Sequence, residues 1–374
     1  MGTLIFDFEG RENIMNKKFG TIMLSIMLVL TVVLSGCAAK KEEPKTAMTN
    51  AAQKAMTMES YEMKSSFVIE DLQVSMAGDD PSVNQAVTMM KNAELTLTGI
   101  HQAEPQQTEM QMGINLKGDM AMSFNIDMVM TAEKLYVKVP NIAFFPFPEN
   151  VVGKYVELDL KELAAEAGEE FNPEMMDAEK SQKFATEVLN ALMSEYDQEK
   201  YFKQIETKDA NLPEGVDAKQ VVQFYITNEN VKDALDILVN KAAPKIVDIA
   251  AKEEYREMLG LTQEDIDMAK EEVNNVDQGE FKEAMADLEK YLKINTFNIN
   301  TAVNKDDFPV YQDAVMNMEF TDPDTDEVVK LAVKGSTQYS KINEEQSFKI
   351  GIPAGDDVIT MEEFEESMNQ MSAY

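Results

Sequence analysis

A single cysteine, a single histidine and no tryptophan occur in the 374 residues. One cysteine cannot close an internal disulfide, and without sets of Cys and His the chain has no zinc-ligand spacing. His101 lies near the end of a predicted strand, and spacing singles out no Ser–His–Asp set around it, so a surface histidine is expected there. Neither a phosphate loop nor a dinucleotide fingerprint is present. Bases are scarce too: 34 Lys and Arg face 68 Asp and Glu, a net charge of −34. A surface of that sign is repelled by nucleic acid and by anionic lipid headgroups, which removes both as electrostatic partners. Carboxylates are so abundant that any two could imitate a glycosidase couple, and their spacing carries no information. The acidity does not mean disorder, because a chain that is 44% hydrophobic can bury a core. No enzyme activity and no cofactor is expected.

One long stretch lacks charge altogether. Lys17 and Lys18 form a basic patch, and Phe19 to Gly36 is an uncharged run rich in Ile, Leu, Val and Met. A basic segment, an apolar segment and small residues before a cleavage point describe a secretory signal. The competing reading is an uncleaved transmembrane anchor, since about 18 apolar residues can just span a bilayer. Leu34-Ser35-Gly36-Cys37 resembles the lipobox of bacterial lipoproteins. That resemblance implies that Cys37 carries a diacylglyceryl group, becomes the first residue after cleavage, and ties the chain to the bilayer. Residues 1–14, which are acidic and precede the basic patch, read as a start-site misassignment ahead of Met15. Residues 1–36 hold three acids and three bases, so the whole net charge belongs to the remaining 338. The expected location is the extracytoplasmic face of the cell membrane.

Residues 38–46, AAKKEEPKT, read as a flexible tether. Met48, Ala51, Ala52, Ala55 and Met56 then follow helical spacing. From Tyr61 the period is two, through Met63, Ser65, Phe67 and Ile69, with a slip of phase near Asp71 before Leu72, Val74 and Met76. The clearest pattern lies in residues 109–130. Met110, Met112, Ile114 and Leu116 share one face opposite Glu109, Gln111, Asn115 and Lys117. After a turn at Lys117-Gly118-Asp119, Met120, Met122, Phe124, Ile126, Met128 and Met130 resume it, which predicts an antiparallel hairpin. Further strands are expected at Leu135–Val139, Lys154–Leu158, 294–303, 308–320 and 327–339, the last two as a hairpin. Residues 161–292 read as acidic helices with one strand, Val221–Thr227, and a short helix at Met361–Met371 ends the chain. The composite is α+β, one domain over 47–374.

The chain has 28 methionines. The Met-rich face could be plain core, since one side of a half-buried sheet must be apolar. It could be the wall of an apolar pocket, where flexible Met adapts to varied shapes better than β-branched residues. It could also be a Cu(I) thioether site built on pairs such as Met110/Met112. In Asn141–Asn150, Phe144, Phe145 and Phe147 stand between prolines, either as a portal or as rings folded back over the core. Asp322–Glu327 opens like a calcium loop but lacks the Gly and Glu that such a loop requires, so a hairpin turn is expected.

The lipobox, the helix running into ESYEMKSSFVIE, and phrases such as KLYVKVP, GKYVELDL, KDDFPVYQDAVMNMEF and YSKINEEQSFKIGIP resemble the LolA/LppX-like lipoprotein carriers. The resemblance covers about 47–160 and 221–353. It implies a strongly curved, unclosed antiparallel sheet (a half-barrel) whose concave face is covered by helices, with lipid or lipidated cargo between them. The helical segment 161–292 is larger than that pattern requires. The expected function is binding of a lipid or other apolar ligand without catalysis. An envelope interaction or sensory module with a solid core, binding another protein, is the alternative.

Overall fold

The computed structural model describes residues 41–75, 81–117, 121–142, 145, 147–166, 178–275, 278–322, 325 and 327–372. Alternating sequence produces twelve strands: β1 (Ser60–Ser75), β2 (Glu94–Gln102), β3 (Gln107–Leu116), β4 (Met122–Thr131), β5 (Lys134–Lys138), β6 (Tyr155–Asp159), β7 (Phe202–Ile205), β8 (Gln220–Tyr225), β9 (Leu292–Val303), β10 (Pro309–Thr321), β11 (Val328–Ser340) and β12 (Val358–Thr360). They form one sheet in the order β12-β6-β5-β4-β3-β2-β1-β11-β10-β9-β8-β7. Its two ends do not pair, so it is not a barrel. Every pairing is antiparallel except β12 with β6, which is parallel.

The slip of phase near Asp71 is a β-bulge between Ile69 and Asp71 in the β1–β11 ladder. The extra residue returns Leu72 and Val74 to the face that holds Phe67 and Ile69. Register then carries one face across the molecule. Phe224, Ile299, Ala314, Gly335, Phe67, Leu95, Ile114 and Phe124 lie directly opposite one another along eight consecutive strands. The other face carries polar ladders, with Gln223 donating to Asn300 at 2.6 Å, Asn300 to Asp313 at 2.9 Å, and Gln111 to Asp127 at 2.7 Å, and at the β4–β6 end a buried cluster of Val129, Tyr136 and Tyr155.

Helices gather toward the ends of the sheet. At the β7–β10 end, α1 (Pro44–Ala55) buries Ala47, Met48, Ala51 and Ala52. They pack with Leu189, Leu192 and Met193 of α4 (Ala178–Glu195), Tyr196, Tyr201 of α5 (Gln198–Tyr201), and Phe202, Val222 and Val303 of the apolar face. Each large side chain so buried contributes about 1.5–3 kcal/mol, which makes this the main core. The helices α6 (Val231–Ile237), α7 (Ala243–Ala250), α8 (Glu253–Met258) and α9 (Gln263–Asn274) extend that layer, while α10 (Gln278–Tyr291) lies on β9 and β10. At the other end α3 (Leu160–Glu166) and α11 (Met361–Ser372) pack on β6, while α2 (Pro81–Met90) lies beside β1 in the middle of the sheet.

Four expectations change. The tether is shorter than 38–46, because Pro44 opens α1 where its fixed φ suits a first helical residue. The backbone N–H groups of Glu42 and Lys45 also dock on Gln220 and Gln198. The segment 161–292 holds a second strand, β7, too short to show alternation. Finally α2 and the three-residue β12 are elements that the sequence pattern does not predict: the first is a ten-residue insertion between strands, and the second depends on a distant partner.

A strap links β11 to β12 across the polar face. Ser60 donates its hydroxyl to Glu344 O at 2.7 Å, and Gln346 is buried beside it. Farther on, the carboxylate of Glu109 accepts the backbone N–H groups of Lys349, Ile350 and Gly351 at 2.7, 2.9 and 2.6 Å. Glu109 is only 3% exposed. It falls on the polar side of the alternation, and nothing in the sequence marks it as the grip on a strap 240 residues away.

Candidate functional site

The hairpin forms with the expected alternation of faces, Met110 opposite Met128, Met112 opposite Ile126, Ile114 opposite Phe124 and Leu116 opposite Met122, so β4 pairs from Met122 rather than from Met120. Met130 sits opposite Thr108. All nine of these apolar side chains are half-buried rather than sealed. Their neighbours on β2 are Gly99, Leu97 and Leu95, followed by Met63, Ser65 and Phe67 on β1. Gly99 gives the floor its shape: a Cβ there would stand 3.5 Å from Met110 Cγ and 3.8 Å from Met63 Cε. Phe67 and Leu95, directly paired, are 44% and 41% exposed, so this face continues apolar to the far edge of the strands. No described helix packs closely on β2, β3, β4 or β5.

Apart from the bulge, none of the twelve strands puts a charged side chain on this face. Strand lysines such as Lys64, Lys134, Lys138 and Lys334 all have the opposite parity, and several pair there, as Lys134 with Glu157 at 2.5 Å and Lys138 with Asp127 at 3.3 Å. At one end the face turns from apolar to aromatic and polar. Tyr61 lies opposite His101, and His101 opposite Thr108. The Tyr61 ring meets His101 with centroids 5.1 Å apart and Tyr339 edge-on at 5.4 Å. His101 Nδ1 is 2.9 Å from Thr108 Oγ1. Thus His101 is a half-buried part of this face rather than a free surface histidine. Burial holds its imidazole below the usual range and raises the Tyr61 phenol; burial, then the neighbouring Tyr61, pushes Tyr339 up to about 12. Tyr61 and Met63 were visible in the β1 alternation, but only pairing brings them to Tyr339 and Met110.

The aromatic loop divides. Phe147 is half-buried against Val139, Val151, Val156 and Ile359, and it meets Phe364 of α11 at 6.3 Å. Phe145 packs edge-on to Phe147 at 5.1 Å but is 55% exposed. Cys37, Met120 and Phe144 lie outside the described residues, as do the signal segment and Met76. The Asp322–Glu327 stretch joins β10 to β11, with Asp322 N donating to Glu327 O at 2.8 Å. Among the described residues no group of three or more His, Cys, Asp or Glu is placed to hold a metal ion, and no helix is long and apolar enough to cross a membrane.

Comparison with protein-family models, with curated proteins and with solved structures finds no match.

Proposed function

We propose that this chain is a lipid-anchored extracytoplasmic lipoprotein that binds a lipid or other apolar ligand, without catalysis, on the Met-rich face of β1–β4. The observation that carries the reading is an apolar face left half-buried between two helix-packed ends. A face meant only as core would be sealed, as Val222 and Val303 are beneath α1. Flexible thioethers suit a wall that must fit chains of varied shape. Tyr339 keeps part of its surface open to solvent while its surroundings push its phenol to about 12. We read this face as the concave side of a LolA/LppX-like half-barrel, partly covered by helices.

Cys37 supplies the tether in this reading, and two acyl chains give the durable attachment that one does not. Cys37→Ser should abolish metabolic labelling by a fatty-acid analogue and leave the signal uncleaved; undiminished label refutes the anchor. For the binding itself, a chain beginning at Ala38 carries no anchor, so any lipid extracted from it must have occupied the fold. Mass spectrometry of that extract should find lipid in stoichiometric amount. A lipid-free fold that takes up no apolar probe leaves the protein-binding module as the better account.

A further inference from the structure

Resting on the lipid-binding reading above, we infer that the bound lipid has an uncharged, hydrogen-bonding head that sits on Tyr61, Tyr339 and His101, with its chains lying along the methionines of β3 and β4. Three observations point there. The first is unspent hydrogen-bonding capacity. His101 uses one ring nitrogen on Thr108, and neither its second nitrogen nor the hydroxyl of Tyr61 or Tyr339 meets a partner among the described residues. Two phenols and an imidazole can donate and accept, which suits the hydroxyls and ester carbonyls of a neutral glycerolipid.

The second is the absence of countercharge. The strands bring no lysine and no arginine to this face, and the chain as a whole is strongly acidic. A phosphate head placed here would lose its hydration without meeting a cation from the strands, a cost that pairing normally offsets. The third is polarity along the strands. Tyr61 and His101 mark one end of the face with Tyr339 beside them, while Ser65 and Thr337, bonded to each other at 2.9 Å, lie beyond Met63 along the same face. Six residues on, Phe67 and Leu95 mark an apolar end about 20 Å away at ~3.3 Å per residue. That is room for a long acyl chain laid along a strand, with its head at the tyrosines. The raised phenols and lowered imidazole are consistent with groups that stay neutral and so present no charge to the head.

The test uses the full chain on phosphatidylcholine vesicles and four photoactivatable probes with the same chain: a diacylglycerol, a phosphatidylglycerol, a phosphatidylcholine and a plain alkane. Cross-links are mapped by mass spectrometry. Diacylglycerol should label the β3–β4 face several-fold more than either phospholipid. Tyr61→Phe combined with Tyr339→Phe keeps both rings and removes both hydroxyls. Losing two neutral hydrogen bonds should cut diacylglycerol labelling about tenfold, while alkane labelling holds. Equal labelling by diacylglycerol and either phospholipid, or a double variant that labels like wild type, overturns the head assignment while alkane labelling leaves the apolar site standing. No labelling by any probe, the alkane included, overturns the site and the head assignment together.

Discussion

Replacing Glu109 by Ala should release the strap that crosses the polar face. In the folded protein its carboxylate, almost fully buried, takes three backbone N–H groups at 2.6–2.9 Å. Hydrogen bonds to a charged group are worth about 1.5–3 kcal/mol each, so simple addition gives an upper bound of about 4.5–9 kcal/mol. Two effects reduce it. Removing the carboxylate also removes the cost of burying a charge, and the freed amides lie close enough to exposed Ile350 to regain water. The expected net loss is about 2–4 kcal/mol. It should be local and centred on residues 341–357, since β12 and α11 keep their own contacts with β6 and Asn150 bonds Ser367. Hydrogen exchange at Lys349, Ile350 and Gly351 should accelerate by roughly 30- to 1,000-fold, following the tenfold per 1.4 kcal/mol rule, with early tryptic cleavage after Lys349. Glu109→Gln, which keeps one carbonyl acceptor, should fall between the two. Unchanged exchange in the Ala variant would refute the view that this carboxylate holds the strap.

Phe147→Ser should cost about 2–3 kcal/mol, less than the ~3–5 of a fully buried ring because Phe147 is half-buried, whereas Phe145→Ser should stay within ~0.5 kcal/mol; thermal melts of the two variants decide it. Glu187 accepts from Lys252 and, at 3.0 Å, from Tyr255, and the Lys252 hydrogen bond foremost holds its carboxyl below the usual 4.5. A depressed carboxylate stabilises above its unfolded pKa and loses that contribution as pH falls through the folded value. Glu187→Gln should therefore melt slightly lower at pH 7, by about 0.5 kcal/mol after solvent screening, and converge with wild type at acid pH; a gap independent of pH contradicts the assignment.

The hairpin of β3 and β4, its division into two faces and even the bulge at Ile69/Asp71 could be read from residue order, because period-two alternation is a local property and a slip of one residue reverses every side chain. What could not be read depends on partners far apart in sequence. Tyr61 and Tyr339 meet only because β1 pairs with β11, and Glu109 differs from any solvated glutamate only because residues 349–351 arrive over it. The short strands β7 and β12 have too few residues to alternate. Methionine frequency marks the apolar face of β3 and β4, but whether that face is sealed or left half-buried follows from where the helices dock.

The most direct measurement is uptake of an apolar fluorescent probe by the chain from Ala38 to Tyr374 and by four single variants. Met128 stands between Met110 and Val137, and Met122 opposite Leu116, all on the apolar face. An aspartate at either position costs several kcal/mol if charged, or stays protonated. Met122→Asp and Met128→Asp should thus abolish uptake in a protein that still melts cooperatively. Ser123→Asp and Asn125→Asp, exposed on the opposite face one residue along, should leave it unchanged. Uptake that is absent in wild type, or that survives Met128→Asp undiminished, would contradict ligand binding on this face.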